Sequence, residues 1–521
     1  MLIFISPRTV SFIELGYFIP VKCWQHLYLL LLLHVQAFAN QYNLSAPAIS
    51  GFNLDKEASM TNNSSSMQLQ FIGAAGVVTG SKTFLKTDKY NILIDCGLFQ
   101  GNKSERKLNK AKWLPFKPAD LDAVILTHGH LDHTGYLPVL VKKGFAGPIY
   151  ATTPTCGITE VILRDSAKIQ EEEAASANRH LDPSKKPRRP LYRSKHVDRT
   201  MALFHPHNDG EWILIKDDLK IRFQKSGHIL GSAMVELEYQ DKRIVFSGDI
   251  GQRAPLILDP PARLLRSDYL IMESTYGNKL HDTTVSPYQA LQDVVTETYE
   301  RGGSVVIPSF AVERAQEIIM ILNNLIDEKS IPAIPVYLDT PMGTDITKLF
   351  QEHSDWHNLT ESETEKLTKN VHIVETFNET KAVLNGDSPK NKIIIAGSGM
   401  ATGGRVLHYL KELVGDEKNT VLLVGHQASG TRGHQLCNGA SEIEIDGDHY
   451  PVKATVSQVG SLSAHGDQED LLWWLSHFKE APKQLFLNHG EGEAAEALKK
   501  KIEEKYNWPV TVAEMDKVYK L

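Results

Sequence analysis

The sequence HGHLDH at residues 128–133, one residue after the apolar run AVIL at 123–126, decides the fold. Three imidazoles and a carboxylate suit a borderline-soft divalent cation such as zinc, and three ligands per metal leave a place for water. A strand followed by a tight turn would direct the first two histidines to one side and the last two polar residues to the other. The stretch can therefore serve two metals. A solvated loop with chance histidines is disfavoured because the neighbouring sequence supplies matching ligands.

Three more candidate site residues follow apolar runs and have glycine neighbours. They are Asp95 in LIDCG, His228 in SGHILGS and Asp249 in FSGDIG. Taken singly, a Gly-Asp pair after an apolar run predicts a turn, and a lone histidine is more often structural. Their order along the chain and their shared setting after predicted strands argue against coincidence.

These residues together resemble the H-x-H-x-D-H signature of the metallo-β-lactamase superfamily. Three later stretches resemble motifs A, B and C of its β-CASP group: MESTYG at 272–277, TRGH at 431–434 and SLSAHGD at 461–467. That group processes nucleic acids and includes bacterial and archaeal ribonucleases and the endonuclease subunit of the pre-mRNA 3′-end cleavage complex. The resemblance runs from about Met67 to near the C-terminus. The ligand string marks the superfamily, whereas the later motifs are specific to β-CASP proteins.

The resemblance implies an α/β fold, a metallo-β-lactamase αββα sandwich with an inserted α/β β-CASP domain. We expect the first part of the sandwich domain at 67–277, the β-CASP domain at 278–432 and the return segment at 433–521. Apolar runs predict strands in the first part at 68–72, 92–95, 123–126, 212–215, 219–223 and 244–247. In the insert, strands at 304–307, 334–338, 392–396 and 420–424 alternate with helices at 287–300, 312–327 and 404–414, as in a parallel sheet.

Residues 1–66 precede the resemblance. They contain a short apolar run at 27–35, and AFA at 37–39 resembles a signal-peptidase site. The run is shorter than the ~20 residues of a membrane span, and the region before it is unusually long for a signal peptide. We therefore expect residues 1–66 to be a disordered extension or a mis-called start, and the protein to be cytoplasmic without membrane association. Export by a signal peptide in 1–39 is the minor alternative.

The composition is typical of soluble globular proteins, with 42% hydrophobic and 23% charged residues. Four widely spaced cysteines without a CxxC argue against a disulfide framework and favour a reducing compartment. With a net charge of −7, an enzyme acting on nucleic acid must concentrate its positive potential locally. The basic stretch at 179–199 is either a solvated loop or an RNA-tracking surface that borders the active-site cleft.

The resemblance implies two zinc ions per chain. One would bind His128, His130 and His228, the second would bind Asp132, His133 and His465, and Asp249 would bridge them. Asp95 would support the site from the end of its strand. Two metals about 3.5–4 Å apart suit phosphodiester hydrolysis, with a bridging hydroxide as nucleophile and Asp132 as its orienting group.

A leaving 3′ oxygen needs a proton, and His434 is the candidate general acid. The family pairs its motif A acid with its motif B histidine, so Glu273 would orient His434 and raise its pKa. The alternatives are a strand-end cap for Glu273 and a surface histidine for His434.

Candidate contacts with the RNA backbone come from three further segments. The residues concerned are Ser309, Arg314, Ser398, Gly399, Met400 and His489. The segment GSGMATGG at 397–404 precedes a predicted helix, whose N-terminal N–H groups favour an anion. Its third glycine is displaced from the Rossmann pattern, so dinucleotide binding is rejected. A salt bridge on a helix surface is the alternative for Arg314.

These features favour a zinc-dependent ribonuclease that acts on single-stranded RNA and leaves 5′-phosphate and 3′-hydroxyl ends. An endonuclease is favoured over a 5′-to-3′ exonuclease, and a homodimer is possible. A small-molecule metallo-hydrolase of the same superfamily would need neither the inserted domain nor the Glu273/His434 pair. A non-catalytic scaffold would have lost metal ligands. A DNA-processing β-CASP nuclease more often carries valine at the position of His465.

Overall fold

The computed structural model describes the chain from Met67 to Leu521. Within that range, residues 102, 111–113, 180, 183, 283, 341, 386–387, 426 and 428–429 are excepted. The predictions for residues 1–66 lie outside the described residues. Among the described residues, no helix is both long enough and apolar enough to cross a bilayer.

Two seven-stranded sheets face each other in the first domain. The first sheet contains β1 (Gln68–Gly73), β2 (Lys82–Lys86), β3 (Asn91–Ile94), β4 (Ala123–Ile125), β5 (Ile149–Thr152), β6 (Phe204–His207) and β22 (Val518–Lys520). The second contains β7 (Trp212–Lys216), β8 (Leu219–Lys225), β9 (Ala233–Tyr239), β10 (Lys242–Phe246), β11 (Tyr269–Glu273), β20 (Gln484–Asn488) and β21 (Val510–Val512). The strand orders are β22-β1-β2-β3-β4-β5-β6 and β21-β20-β11-β10-β9-β8-β7.

The two faces of each sheet bury different partners, because successive side chains of a strand point to opposite faces. In β4, Ala123 and Ile125 join a core between the sheets that also contains Phe246 of the second sheet. Val124, between them, belongs to a second core under the helices on the outer face. A third core lies outside the second sheet and includes Val245. The layers are therefore helix, sheet, sheet and helix, the predicted αββα sandwich.

The helices of this domain lie outside the sheets. They are α1 (Lys103–Leu108), α2 (Leu131–Thr134), α3 (Leu137–Lys142), α4 (Thr153–Asn178), α5 (Ser194–Met201), α13 (Gln468–Leu475) and α14 (Gly492–Tyr506), with a 3-10 turn at Pro118–Asp120. Helix α4 begins with Pro154 in its first turn, and the Thr152 hydroxyl accepts a hydrogen bond from the Thr155 N–H at 3.3 Å. This cap satisfies a donor that the helix itself leaves free.

The inserted domain is built on a six-stranded, wholly parallel sheet of order β14-β13-β15-β12-β16-β19. Its strands are β12 (Val305–Pro308), β13 (Val336–Asp339), β14 (Val371–Ile373), β15 (Ile393–Ala396), β16 (Thr420–Val424) and β19 (Thr455–Val459), and the hairpin β17 (Glu442–Ile445) and β18 (Asp448–Pro451) precedes β19. The central strands are buried along their whole length, as expected for a parallel sheet covered on both faces.

Seven helices accompany this sheet. They are α6 (Pro287–Glu300), α7 (Arg314–Asp327), α8 (Gly343–Glu352), α9 (Glu361–Lys369), α10 (Phe377–Leu384), α11 (Val406–Leu413) and α12 (Arg432–Cys437), with a 3-10 turn at Ser354–Trp356. The predicted strands and helices of the insert agree with these bounds to within about two residues. The return to the first domain comes later than the predicted residue 433, because β19 pairs with β16 in the parallel sheet from Thr455 to Val459.

The parallel pairings position the site. Strand β3 is parallel to β4, and β11 is parallel to both β10 and β20. Residues that follow parallel strands meet at one edge of a sheet, so the segments after these five strands converge. Four of the predicted site segments lie there. Three come after the ends of β3, β4 and β10, and the fourth begins with the last residues of β11.

Gly97 holds the turn that carries Asp132 and His133 against the end of β3. The Cys96 N–H donates to the His133 carbonyl at 2.7 Å, and the Leu98 N–H donates to the Leu131 carbonyl at 3.0 Å. A Cβ atom at Gly97 would lie 1.5 Å from the carbonyl oxygen of Asp132. Any side chain at this position must push the two segments apart.

We predict that Gly97→Ala destabilises the protein by at least about 1–3 kcal/mol and lowers its metal content, because the displaced turn carries two site residues. Gly415→Ala is the matched control, since the nearest atom to its added Cβ is 3.9 Å away and the residue is exposed. Thermal unfolding and metal analysis of both variants check this. Equal stability of the two variants would contradict it.

Candidate metal centre

Two groups of possible metal ligands lie side by side at the converging strand ends. In the first, donor atoms of His128, His130, His228 and Asp249 all lie within 4.8 Å of one another. His130 Nδ1 is 3.1 Å from Nε2 of His128 and 3.1 Å from Nε2 of His228. His128 follows β4, and His228 lies in the loop between β8 and β9. The structure thus brings together the residues predicted for the first metal.

The second group consists of Asp132, His133 and His489. Nε2 of His489 lies 2.9 Å from Nε2 of His133 and 3.6 Å from Oδ2 of Asp132. Asp132 and His133 belong to the short helix α2, and His489 directly follows β20. His489 therefore occupies the place that the sequence analysis assigned to His465.

Asp249 connects the two groups. Its Oδ2 atom lies 3.5 Å from Nε2 of His128 and 3.4 Å from Nε2 of His228. Its Oδ1 atom lies 3.4 Å from Nε2 of His133 and 3.6 Å from Nδ1 of His489. The carboxylate is 2% exposed, so each oxygen faces one histidine group inside the protein.

The donor set fits zinc-like ions. Two ligands at about 2.0–2.1 Å from a tetrahedral ion are about 3.3 Å apart, and the donor separations in both groups lie between 2.9 and 3.6 Å. Among the described residues, Oδ1 of Asp249 has no hydrogen-bond donor although it is buried. A buried carboxylate oxygen without a donor is costly unless a cation balances it.

The three histidines of the first group are in the neutral form, which is the form that binds a metal ion. Burial lowers the pKa of His130 to about 4 and holds the pKa values of His128 and His228 well below the usual range, and neighbouring histidines add to the effect. These imidazoles are neutral at neutral pH, and a metal ligand must be deprotonated.

Asp95 lies behind the second group. Its Oδ2 atom is 2.7 Å from Nδ1 of His133, and the backbone N–H of Thr127 donates to its Oδ1 atom at 2.8 Å. This contact leaves Nε2 of His133 facing Asp249 and His489, which is how a carboxylate orients a metal-binding histidine. Burial lowers the pKa of His133, but the charges of Asp249 and Asp95 outweigh it and raise the pKa to about 10.

Glu273 contacts His465. The carboxylate ends β11, is 1% exposed and accepts a hydrogen bond from the Ile250 N–H at 2.5 Å. Its Oε2 atom is 3.1 Å from Nδ1 of His465, whose Nε2 lies 3.9 Å from Oδ2 of Asp249. Burial lowers the pKa of His465, but the charges of Glu273 and Asp249 raise it to about 9. An imidazolium held by a carboxylate is thus directed at the metal-binding groups.

The predicted pair of Glu273 and His434 does not form. His434 lies half-buried on α12, and its ring nitrogens are 3.2 and 3.3 Å from the amide nitrogen of Asn438. Helix α12 follows β16 of the inserted sheet, whereas Glu273 ends a strand of the sandwich. His465, predicted as a metal ligand, takes the position beside Glu273.

The predicted RNA contacts are mostly engaged within the protein. Arg314 is 5% exposed and forms an ion pair with Glu317. The Ser309 hydroxyl donates to the Phe310 carbonyl at 3.0 Å. Ser398 accepts from two N–H groups of its own loop, those of Thr402 and Gly403, and Gly399 is buried while Met400 is half-buried beside them. His489, predicted to contact RNA, belongs instead to the second metal-binding group.

One sequence signal could have located His489. It follows Asn488, the last residue of an apolar strand, in the same way that Asp95, Asp249 and the 128–133 stretch follow theirs. The site residues follow the ends of parallel strands, and this pattern predicts His489 better than the motif pattern does.

Three family models match the chain in sequence order. The Metallo-beta-lactamase superfamily matches residues 75–298, the Beta-Casp domain matches 315–436, and the Zn-dependent metallo-hydrolase RNA specificity domain matches 449–513. The fold and the site define a metal-dependent hydrolase. The chain belongs to the β-CASP group of the metallo-β-lactamase superfamily.

Named relatives cover most of the chain. Ribonuclease TTHA0252 of Thermus thermophilus is 34% identical over 441 residues, which span 83% of this chain and 95% of the relative. The RNase J-like protein of Methanocaldococcus jannaschii is 31% identical and spans 81% of this chain and 92% of its own. Integrator complex subunit 11 of Danio rerio is 29% identical over 84% of this chain and 71% of its own.

We predict that His489→Ala lowers bound zinc from about two ions to about one per chain, because it removes one of three side chains of the second group. His434→Ala should leave the zinc content unchanged, since its ring contacts Asn438. Metal analysis after dialysis checks both variants. Full zinc content in His489→Ala would show that His489 is no ligand.

Proposed function

We propose that the protein is a zinc-dependent ribonuclease with two zinc ions per chain. It hydrolyses phosphodiester bonds of single-stranded RNA and leaves 5′-phosphate and 3′-hydroxyl ends, with endonucleolytic cleavage favoured. The observation that carries this proposal is the bridging position of Asp249 between two ligand groups. Two adjacent metal ions suit phosphodiester hydrolysis, whereas a single ion needs no shared carboxylate.

The distances indicate which side chains would bind each zinc ion. His128, His130 and His228 would hold one zinc, and Asp132, His133 and His489 would hold the other. Asp249 would contribute one oxygen to each. When bound, the two ions supply an activated water and stabilise negative charge on the phosphate. Asp132, with 17% of its side chain exposed, is the carboxylate of the site best placed to accept a hydrogen bond from that water.

His465 is the proposed proton donor to the leaving 3′ oxygen. Glu273 contacts Nδ1, which orients the ring and leaves Nε2 directed toward Asp249 and the metal-binding groups. The side chain of His465 is 20% exposed, so a bound strand can reach it, whereas Glu273 is sealed from solvent. Glu273 then acts on the substrate through His465. This role replaces the one predicted for His434.

Zinc-loaded protein should cut RNA that is labelled both internally and at its 5′ end, and it should release internal fragments. A chelator should abolish the cleavage, and added zinc should restore it. Release of mononucleotides from 5′-phosphorylated RNA alone would replace the endonuclease by an exonuclease. If the protein hydrolyses a small ester but does not cut RNA, the proposed substrate is wrong.

We predict that His465→Ala slows RNA cleavage by about 10²–10⁴-fold while its zinc content stays unchanged. Hydrolysis of bis(p-nitrophenyl) phosphate should fall far less, because its leaving group needs no proton. His434→Ala should retain activity on both substrates. Equal losses on the two substrates would contradict the assignment of His465 as the acid.

Homodimer formation and cytoplasmic location stay predictions.

A further inference from the structure

A basic segment lies outside the metal centre. Residues 179–199, named here the basic segment, contain eight lysine or arginine residues and two aspartates in a chain with a net charge of −7. All eight basic side chains are exposed: Arg179, Lys185, Lys186, Arg188, Arg189, Arg193, Lys195 and Arg199. Such a concentration of positive charge on an acidic chain calls for an explanation.

Residues 188–191 of the basic segment lie away from the metal centre, whereas α5 runs back along α4, where Asp198 pairs with Arg164. The segment follows the C-terminal end of α4, and α4 begins at the site, where the Thr155 hydroxyl donates to the Gly231 carbonyl in the loop of His228 at 2.8 Å. The backbone of the segment contacts the other end of the helix at Gln170 and Asn178. At 1.5 Å per residue, Gln170 and Asn178 lie about 20–35 Å from Thr155 along α4.

Residues 188–192 of the basic segment are held against the protein surface. Tyr192 is fully buried, and its hydroxyl donates to the Ser166 hydroxyl at 2.8 Å. The Arg188 backbone exchanges two hydrogen bonds with the Asn178 side chain, at 2.8 and 2.9 Å. The Leu191 N–H donates to the Gln170 side chain at 3.1 Å. The backbone of this part of the segment is therefore held in place, which reduces the ordering cost of binding a partner.

Most of these charges are available to a partner. Within the part of the chain that the structure describes, Arg188 is the one member of the group that forms an ion pair, with Glu173 at 3.6 Å. Its neighbour on α4, Glu171, accepts a hydrogen bond from the Ser194 hydroxyl at 3.0 Å instead of pairing with a cation. On an ordinary solvated helix face, most cations would pair with neighbouring carboxylates. The cations of the basic segment mostly do not.

We propose that the basic segment is a second RNA-binding surface, which holds the phosphate backbone of a strand whose scissile bond lies at the metal centre. This proposal rests on the proposed function. The exposed cations suit phosphates, and the segment's own tyrosine, Tyr192, is buried and not available for base stacking. Binding here is independent of sequence, depends strongly on salt and requires an RNA that spans the length of α4.

The test compares two charge-matched variants of the full, zinc-loaded chain. One is the triple substitution Lys185→Gln, Lys186→Gln and Arg189→Gln. The control is Lys500→Gln, Lys501→Gln and Lys505→Gln, which removes the same charge from exposed positions on α14. Binding of fluorescent oligouridylate is measured against salt concentration in a His465→Ala background, in which RNA cleavage is slow. Hydrolysis of bis(p-nitrophenyl) phosphate is measured with His465 present.

With an RNA of about 20 nucleotides, the basic-segment variant should bind more weakly, and its log–log salt slope should be shallower by about 2, since each lost contact removes about 0.7. The control variant should keep the slope of the parent. An RNA of about four nucleotides, too short to span α4, should bind both variants equally. Hydrolysis of the small ester should be unchanged in both.

Three results would overturn the proposal. They are an unchanged salt slope in the basic-segment variant, an equal loss in the control variant, and binding of poly-glutamate in preference to RNA, which would indicate an acidic polypeptide as the partner. Because binding is measured without cleavage, these results stand apart from the proposed function. A parent protein that binds long RNA through the segment but cuts none would contradict the ribonuclease and not the surface.

Discussion

Asp249 carries a buried carboxylate whose two oxygens face different groups of histidines. Placing a charged carboxylate where it is 2% exposed is expensive unless opposite charge surrounds it. Its Oδ2 atom faces the imidazoles of His128 and His228, which burial keeps neutral. The arrangement is consistent with cations between the carboxylate and the rings. The strand ends at this edge of the sandwich place the ligands around Asp249.

The support comes from backbone geometry. Parallel strands β10, β11 and β20 end together in the second sheet, and β3 and β4 end together in the first. Residues after these ends supply Asp249, His489, Asp95 and the turn with His133. The close approach at Gly97 then fixes that turn against β3. Glu273, at the end of β11, positions His465 at the same place, although His465 itself comes from a loop after the inserted sheet.

The sequence predicted the fold, and it named the residues that the structure brings together in the first group. Each of these residues follows an apolar strand, and that local signal is readable although the group spans His128 to Asp249. The predictions for His434 and His465 depended instead on which loop returns to the site from the inserted domain. That is decided by the pairing of β19 with β16, about 30 residues apart in sequence. Such long-range register leaves no local signal, and the motif pattern assigned the wrong histidine to Glu273.

Arg314 shows the same limitation on a smaller scale. An arginine at the start of a helix predicts a phosphate contact, but its partner Glu317 lies one helical turn away on the same face and buries with it. The basic segment shows the reverse case. Its charges are readable from the sequence, whereas their distance from the metal centre is set by the length of α4.

The most direct test of the account is anomalous X-ray diffraction at the zinc edge on crystals of the zinc-loaded protein. The account predicts two peaks about 3.5–4 Å apart, one among His128, His130 and His228 and one among Asp132, His133 and His489, with Asp249 in contact with both. A single peak, or a second peak held by His465 and Glu273, would contradict it.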